Sequence, residues 1–172
     1  MAESRPYHVL FLCTGNSARS QMAECLLTRW GRGRFVAHSA GSKPKGFVHP
    51  RALAILEHNR LPTTHLNSKD WAQFMSPGAD PLDFVFTLCD RASQEICPVW
   101  PGNPITANWS VPEPAEAPET EAEAAFREAF RLINTRVQLF TLLRPELLDR
   151  KRLRHEVERI GRVQHSDTNA DE

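Results

Sequence analysis

The stretch YHVLFLCTGNSARS, Tyr7 to Ser20, changes character twice. Tyr7 to Leu12 is a continuous apolar, β-rich run, the pattern of a strand buried on both faces of a parallel sheet. A turn of small residues follows at Cys13. From Arg19 to Trp30 the apolar residues Met22, Ala23, Leu26, Leu27 and Trp30 recur at helical spacing, and Gly31 supplies a stop. Strand, small-residue loop and helix in this order predict an α/β unit with its ligand site beyond the carboxyl end of the strand.

The rest of the chain extends that pattern. Phe35 to His38 reads as a second strand, Pro50 to Asn59 as a helix with Ala52, Ile55 and Leu56 on one side, and Phe84 to Leu88 as a third strand ending at Cys89. A short segment around Ile105 to Trp109 is a candidate fourth strand, and the three prolines of Pro112 to Pro118 predict a loop without regular structure. Phe126, Phe130, Ile133, Val137 and Phe140 step by four, three, four and three along a long helix, and Leu147, Leu148, Leu153, Val157 and Ile160 mark another. Alternating strands and helices imply a parallel sheet covered on both faces, an α/β doubly wound arrangement in three layers. One domain over 1–164 is expected, with a polar tail at 165–172 that frays.

Composition bounds the function. Of 172 residues 21 are Lys or Arg and 21 Asp or Glu, with 41% hydrophobic and 24% charged, so the chain can bury a core and is not globally disordered. A zero formal charge removes the broad cationic field that draws in nucleic acid or an anionic membrane. No apolar run approaches the roughly 18 residues of a membrane helix, and no secretory signal opens the chain, so a cytoplasmic location with reduced cysteines is expected.

Cys13 and Arg19 frame Thr14, Gly15, Asn16, Ser17 and Ala18, with Ser20 next, at the point where the first strand feeds the first helix. Amides of such a loop converge, the helix N-terminus adds partial positive charge, and an arginine fork binds two oxygens of a tetrahedral oxyanion. The same field is expected to depress the Cys13 pKa from about 8.5 and make it a nucleophile at neutral pH. A Walker-type nucleotide site is excluded because no Gly-Lys-Ser/Thr ends the loop.

Cys89 closes the third strand as Cys13 closes the first; if the strands are neighbours, about 4.8 Å apart, a modest loop movement could join the two sulfurs. Cys97 lies eight residues beyond Cys89, a spacing that does not match a zinc site, and no metal is expected. Two buried, inert thiols are the alternative. Cys25, between apolar neighbours on the first helix, reads as core. None of the seven histidines lies beside the Cys13 loop in sequence, so proton donation falls to a carboxylic acid, with Glu113 in the proline-bounded loop as the candidate.

CTGNSARSQMAE from Cys13 to Glu24, SAG from Ser39 to Gly41, FTLCD ending at Asp90 and CPVWPG from Cys97 to Gly102 resemble the arsenate reductases built on the low-molecular-weight tyrosine phosphatase fold. The resemblance implies a four-stranded parallel sheet, Cys13 as nucleophile, Arg19 as oxyanion clamp, Ser20 as hydrogen-bond partner of the thiolate, and Cys89 and Cys97 as second and third redox cysteines. One departure stands out. Where the family usually has Asp-Pro after a Trp, this chain has Glu113-Pro114, and Glu reaches one methylene further.

The tyrosine phosphatases of this fold place aromatic residues beside their Asp-Pro, whereas here Ala115 and Glu116 follow and Tyr7 is the only tyrosine, which favours a small inorganic anion. The expected activity is reduction of arsenate through a thiol and disulfide relay, with thioredoxin, or glutathione with glutaredoxin, as reductant and no metal or organic cofactor. A phosphomonoesterase using Cys13, Arg19 and Glu113 is the alternative, and a thiol-based redox or arsenic sensor the third reading.

Overall fold

The computed structural model describes residues 5–89 and 100–164. Cys97, Asp90 and the 165–172 tail lie outside the described residues. Four strands form one parallel sheet in the order β2-β1-β3-β4: β1 (Tyr7–Cys13), β2 (Phe35–Gly41), β3 (Phe84–Thr87) and β4 (Ile105–Asn108). Among the described residues the α-helices are α1 (Arg19–Gly31), α2 (Pro50–His58), α3 (Ala122–Thr141) and α4 (Arg150–Gly161).

Alternation along β1 divides the interior in two. Val9, Phe11 and Cys13 join a large core built with α1, α2, α3 and α4, while Leu10 and Leu12 join a smaller one with Ala40, Leu82, Val85 and Trp100. A 3-10 turn, Trp71–Phe74, packs on that smaller core and was not foreseen, because four residues are too few to reveal a period. Phe86 stacks on Trp109 with ring centroids 4.0 Å apart, and both edge Phe140 of α3.

Two expectations are corrected. The proline-rich stretch holds a 3-10 turn at Pro114–Glu116, because Pro114 occupies a first helical position and the Glu113 side chain caps it. The last helix does not start at Leu147: a 3-10 turn runs Pro145–Leu147, Asp149 caps α4 by accepting from Arg152 N, and Leu147 is 72% exposed.

A 2-1-3-4 strand order reverses direction between β1 and β3, and that switch point is where open α/β sheets bind ligands. Leu12 pairs with Thr87 across it, so Cys13 ends β1 while Cys89 follows two residues beyond the end of β3. No helix among the described residues is long and apolar enough to cross a membrane.

Candidate active site

The loop from Cys13 to Ala18 is turned inside out relative to an ordinary turn, because its carbonyls are engaged from behind. Thr14 O accepts from Lys43 N, Gly15 O from Lys45 N and Ser68 Oγ, and Ser17 O from His49 N, with lengths of 2.8 to 3.3 Å. Asn16 O accepts from Gln21 Nε2. Carbonyls held outward leave the loop amides facing the centre, where they can meet an anion. Unlike α2 and α4, helix α1 has no side-chain cap at its start, so its first amides also remain open to a ligand.

Asn16 holds the loop's bend. It is buried in the left-handed region at φ 46°, which asparagine tolerates better than most residues. Its Oδ1 accepts from Lys69 N at 2.9 Å and from Gln21 Nε2 at 3.0 Å, so its Nδ2 must be the group that donates to Ser20 Oγ at 2.8 Å. That leaves the Ser20 hydroxyl free to donate to Cys13 Sγ, 2.8 Å away. The chain of donors ends on the sulfur and favours its anion.

Arg19 is 6% exposed. Its Nη1 donates to Val111 O at 2.8 Å and Leu88 O at 3.3 Å, and its Nη2 meets Glu113 Oε2 at 2.5 Å. Its Nε is buried with no acceptor among the described residues, a donor left for a ligand oxygen. Glu113 divides its carboxylate, with Oε2 on Arg19 and Oε1 accepting from Ala115 N at 3.1 Å.

The thiol does not follow the expected depression. Burial, the largest influence, pushes the Cys13 pKa above its ordinary value, against the downward pull of the Ser20 hydrogen bond and the Arg19 charge. The Arg19 guanidinium, its Nη donors on two carbonyls and Glu113, pulls the pKa down by less than burial raises it. Cys89, also buried, has its sulfur 3.4 Å from Thr14 Oγ1. Thr14, Gly15, Arg19, Cys89 and Glu113 line one cavity of about 1350 Å³, with Lys43 and Lys45 among its other walls. Three of the five catalytic candidates, Arg19, Cys89 and Glu113, line that cavity; Cys13 is buried against Ser20 Oγ and is not among the lining residues, and Cys97 lies outside the described residues.

Several residues of this site are invisible to spacing. His49 lies 32 positions beyond Ser17 yet joins the loop through its backbone, with its ring 4.7 Å from Phe126 and its Nδ1 accepting from Arg51 N. Burial, Lys45 and Arg51 lower its pKa. Behind the loop, buried Glu24 accepts from Ser39 Oγ at 3.3 Å, and Lys69 Nζ lies 3.9 Å from the same carboxylate while donating to Ser39 O and Asn67 O. Glu24 and Ser39 fall inside the quoted motifs, but only the fold brings them to Lys69. Cys25 donates toward Pro62 O, and burial pushes its pKa up to about 12, as befits a core thiol.

Comparison with known proteins places the chain in a family. Residues 8–158 match the low molecular weight phosphotyrosine protein phosphatase family. An arsenate reductase of Halalkalibacterium halodurans is 34% identical over 134 residues, 77% of this chain and 93% of that protein. A solved arsenate reductase in a phosphate-binding state superposes with a TM-score of 0.60 at 27% identity, covering 79% of this chain and 97% of that one. The thioredoxin-dependent arsenate reductase of Corynebacterium glutamicum has a TM-score of 0.54 at 25% identity, covering 77% and 60%.

Proposed function

Since the chain belongs to the low molecular weight phosphotyrosine protein phosphatase family, we propose that it works as the arsenate reductases of that family do, converting arsenate to arsenite with its own thiols. Arsenate sits among the loop amides of residues 14–20 and takes the open Nε donor of Arg19. As the Cys13 sulfur, accepting the Ser20 hydrogen bond, attacks arsenic, the thiol proton is released to the Glu113 carboxylate, which hands it to the hydroxyl of arsenate that leaves as water.

Cys89 then attacks the Cys13 sulfur of the adduct. A Cys13–Cys89 disulfide forms, the S–As bond breaks, and its electron pair stays on arsenic, which departs as arsenite. The two electrons come from the two thiols, so one cysteine cannot complete the reaction. Cys97 next attacks Cys89, frees Cys13 and carries the disulfide to an external dithiol. Thioredoxin is the reductant we favour, in keeping with the thioredoxin-dependent relative; glutathione with glutaredoxin is its competitor in the same assay.

One observation carries this reading over phosphoester hydrolysis: a second buried thiol stands two residues past the end of the adjacent strand, its sulfur 3.4 Å from the hydroxyl of the anion loop's own Thr14. A hydrolase needs Cys13, Arg19 and Glu113 but has no use for Cys89. The test is multiple-turnover arsenate reduction by wild type and Cys89→Ser with thioredoxin, thioredoxin reductase and NADPH. Reductase activity should vanish in the variant; phosphoester hydrolysis that persists while wild type fails to reduce arsenate would establish the phosphatase instead.

A further inference from the structure

Helix α3 carries an arginine in the wrong place for a surface charge. Arg136 is 1% exposed, and among the described residues its hydrogen-bond acceptors are main-chain carbonyls. Nη1 donates to Trp109 O at 2.7 Å and Ser110 O at 3.0 Å; Nε and Nη2 donate to Val163 O at 3.2 and 3.1 Å. A cation buried without a carboxylate is costly, and a guanidinium is tolerated here because its planar fork meets several carbonyl dipoles at once. Burial draws its pKa down to about 10, which leaves it charged at neutral pH.

What it grips is the root of the acid loop. Trp109 N and Val111 N continue the sheet by donating to Thr87 O and Leu88 O, and the chain then turns through Pro112 to Glu113. Trp109 O and Ser110 O are held by Arg136, and the next carbonyl, Val111 O, is held by Arg19. Three successive carbonyls are thus shared between two arginines, one at the reaction centre and one behind it. Helix α4 closes the arrangement from the far side: Val157 O accepts from Trp109 Nε1 at 2.9 Å, and Val163 O, just past the helix end, is the third acceptor of Arg136.

We propose that Arg136 is a positioning residue for the reaction, setting the height of the acid loop so that Glu113 reaches the leaving oxygen. The role rests on the function proposed above, since it acts through Glu113. It involves no contact with substrate. A lysine cannot replace it fully, because a single ammonium cannot span Ser110 O and Val163 O as a fork does.

The test uses the full chain with Arg136→Met and Arg136→Lys. In Arg136→Met, kcat for arsenate should fall by about tenfold or more while KM stays within about threefold, because proton donation is lost and anion binding is not. Arg136→Lys should recover part of the loss. In a Glu113→Gln background the Arg136→Met change should add little to the kcat defect, as expected of residues acting as one unit.

Hydrogen exchange supplies a readout that needs no activity. Amides of 109–117 should exchange about tenfold faster in both variants, with β1 unchanged. Wild-type kcat in Arg136→Met, full additivity with Glu113→Gln, or unaltered exchange at 109–117 would each overturn the role. Absence of arsenate turnover in wild type would refute the function instead, and the exchange result would still decide whether the clamp exists. If Arg136→Met does not fold, Arg136→Lys carries the same comparisons.

Discussion

Two loops face one another across the cavity, and they are secured by different chemistry. The anion loop is braced by main-chain donors from residues 43, 45 and 49 and by the Asn16 amide network, a set with fixed charge and little freedom. The acid loop hangs from side chains, its carbonyls divided between Arg19 and Arg136. Every donor of the first arrangement belongs to the protein itself. The second is coupled to the ligand, because the Arg19 guanidinium that grips Val111 O and Glu113 is also the one offering a donor to the anion. Preorganisation and responsiveness thus sit on opposite walls of one site.

Each loop also has a glycine at its back. A Cβ on Gly41 would stand 2.4 Å from Thr14 O and 2.8 Å from Cys13 O; one on Gly161 would stand 2.3 Å from Asn108 O and 2.7 Å from the Trp109 ring. The largest effect should come from Gly41→Ala, since it displaces the rigid wall. Arsenate kcat/KM and phosphate affinity by calorimetry should both fall by about a hundredfold. Equal values in variant and wild type would mean that the loop yields easily and is no more fixed than the acid loop.

Glu113→Gln comes next, and it separates the walls. Turnover should drop by about a hundredfold, the usual share of a general acid. Phosphate should bind as tightly or more so, because Arg19 loses a competing carboxylate. Weaker phosphate binding would show that Glu113 props the anion loop. Gly161→Ala is milder, pushing α4 from the acid-loop root. We expect a stability loss of about 1–3 kcal/mol by urea unfolding, with kcat down only severalfold.

The smallest effect lies far from either loop. His8 Nδ1 and His38 Nε2 are 3.0 Å apart in stacked rings, and burial, then His8 and Lys69, pull the His38 pKa from 6.5 to about 4. A depressed histidine binds its proton less readily folded than unfolded, so its contribution is complete above pH 6.5 and is lost as pH falls toward 4. After allowing for solvent screening we expect about 1–2 kcal/mol. It would be read as the difference in urea midpoints between wild type and His38→Gln at neutral and acid pH. Identical pH dependence in the two chains would refute it.

Strand β1, the small-residue loop and α1 are legible in sequence because burial on both faces, small residues and a 3.6 period each leave a local mark. The adjacency of β1 and β3 could be posed only as a condition, since register arises from tertiary packing. Lys43, Lys45, His49 and Lys69 act largely through their backbones, which no side-chain pattern records. Arg136 neighbours Val137 on the apolar stripe of α3 but reads as a solvated charge, because its carbonyl partners lie 26 and 27 residues away. The direction of the Cys13 shift was missed for a related reason: how deeply the sulfur is buried is a property of the whole core.

Cys25 lies 12 positions from Cys13 in sequence, but its hydrogen-bond acceptor is Pro62 O and its pKa stands near 12. A thiol so resistant to ionisation makes a poor attacking group in disulfide exchange. Electrophilic dyes and oxidants should therefore pass it over, so that stoichiometric thiol counting during turnover reports on the relay without a bystander to subtract.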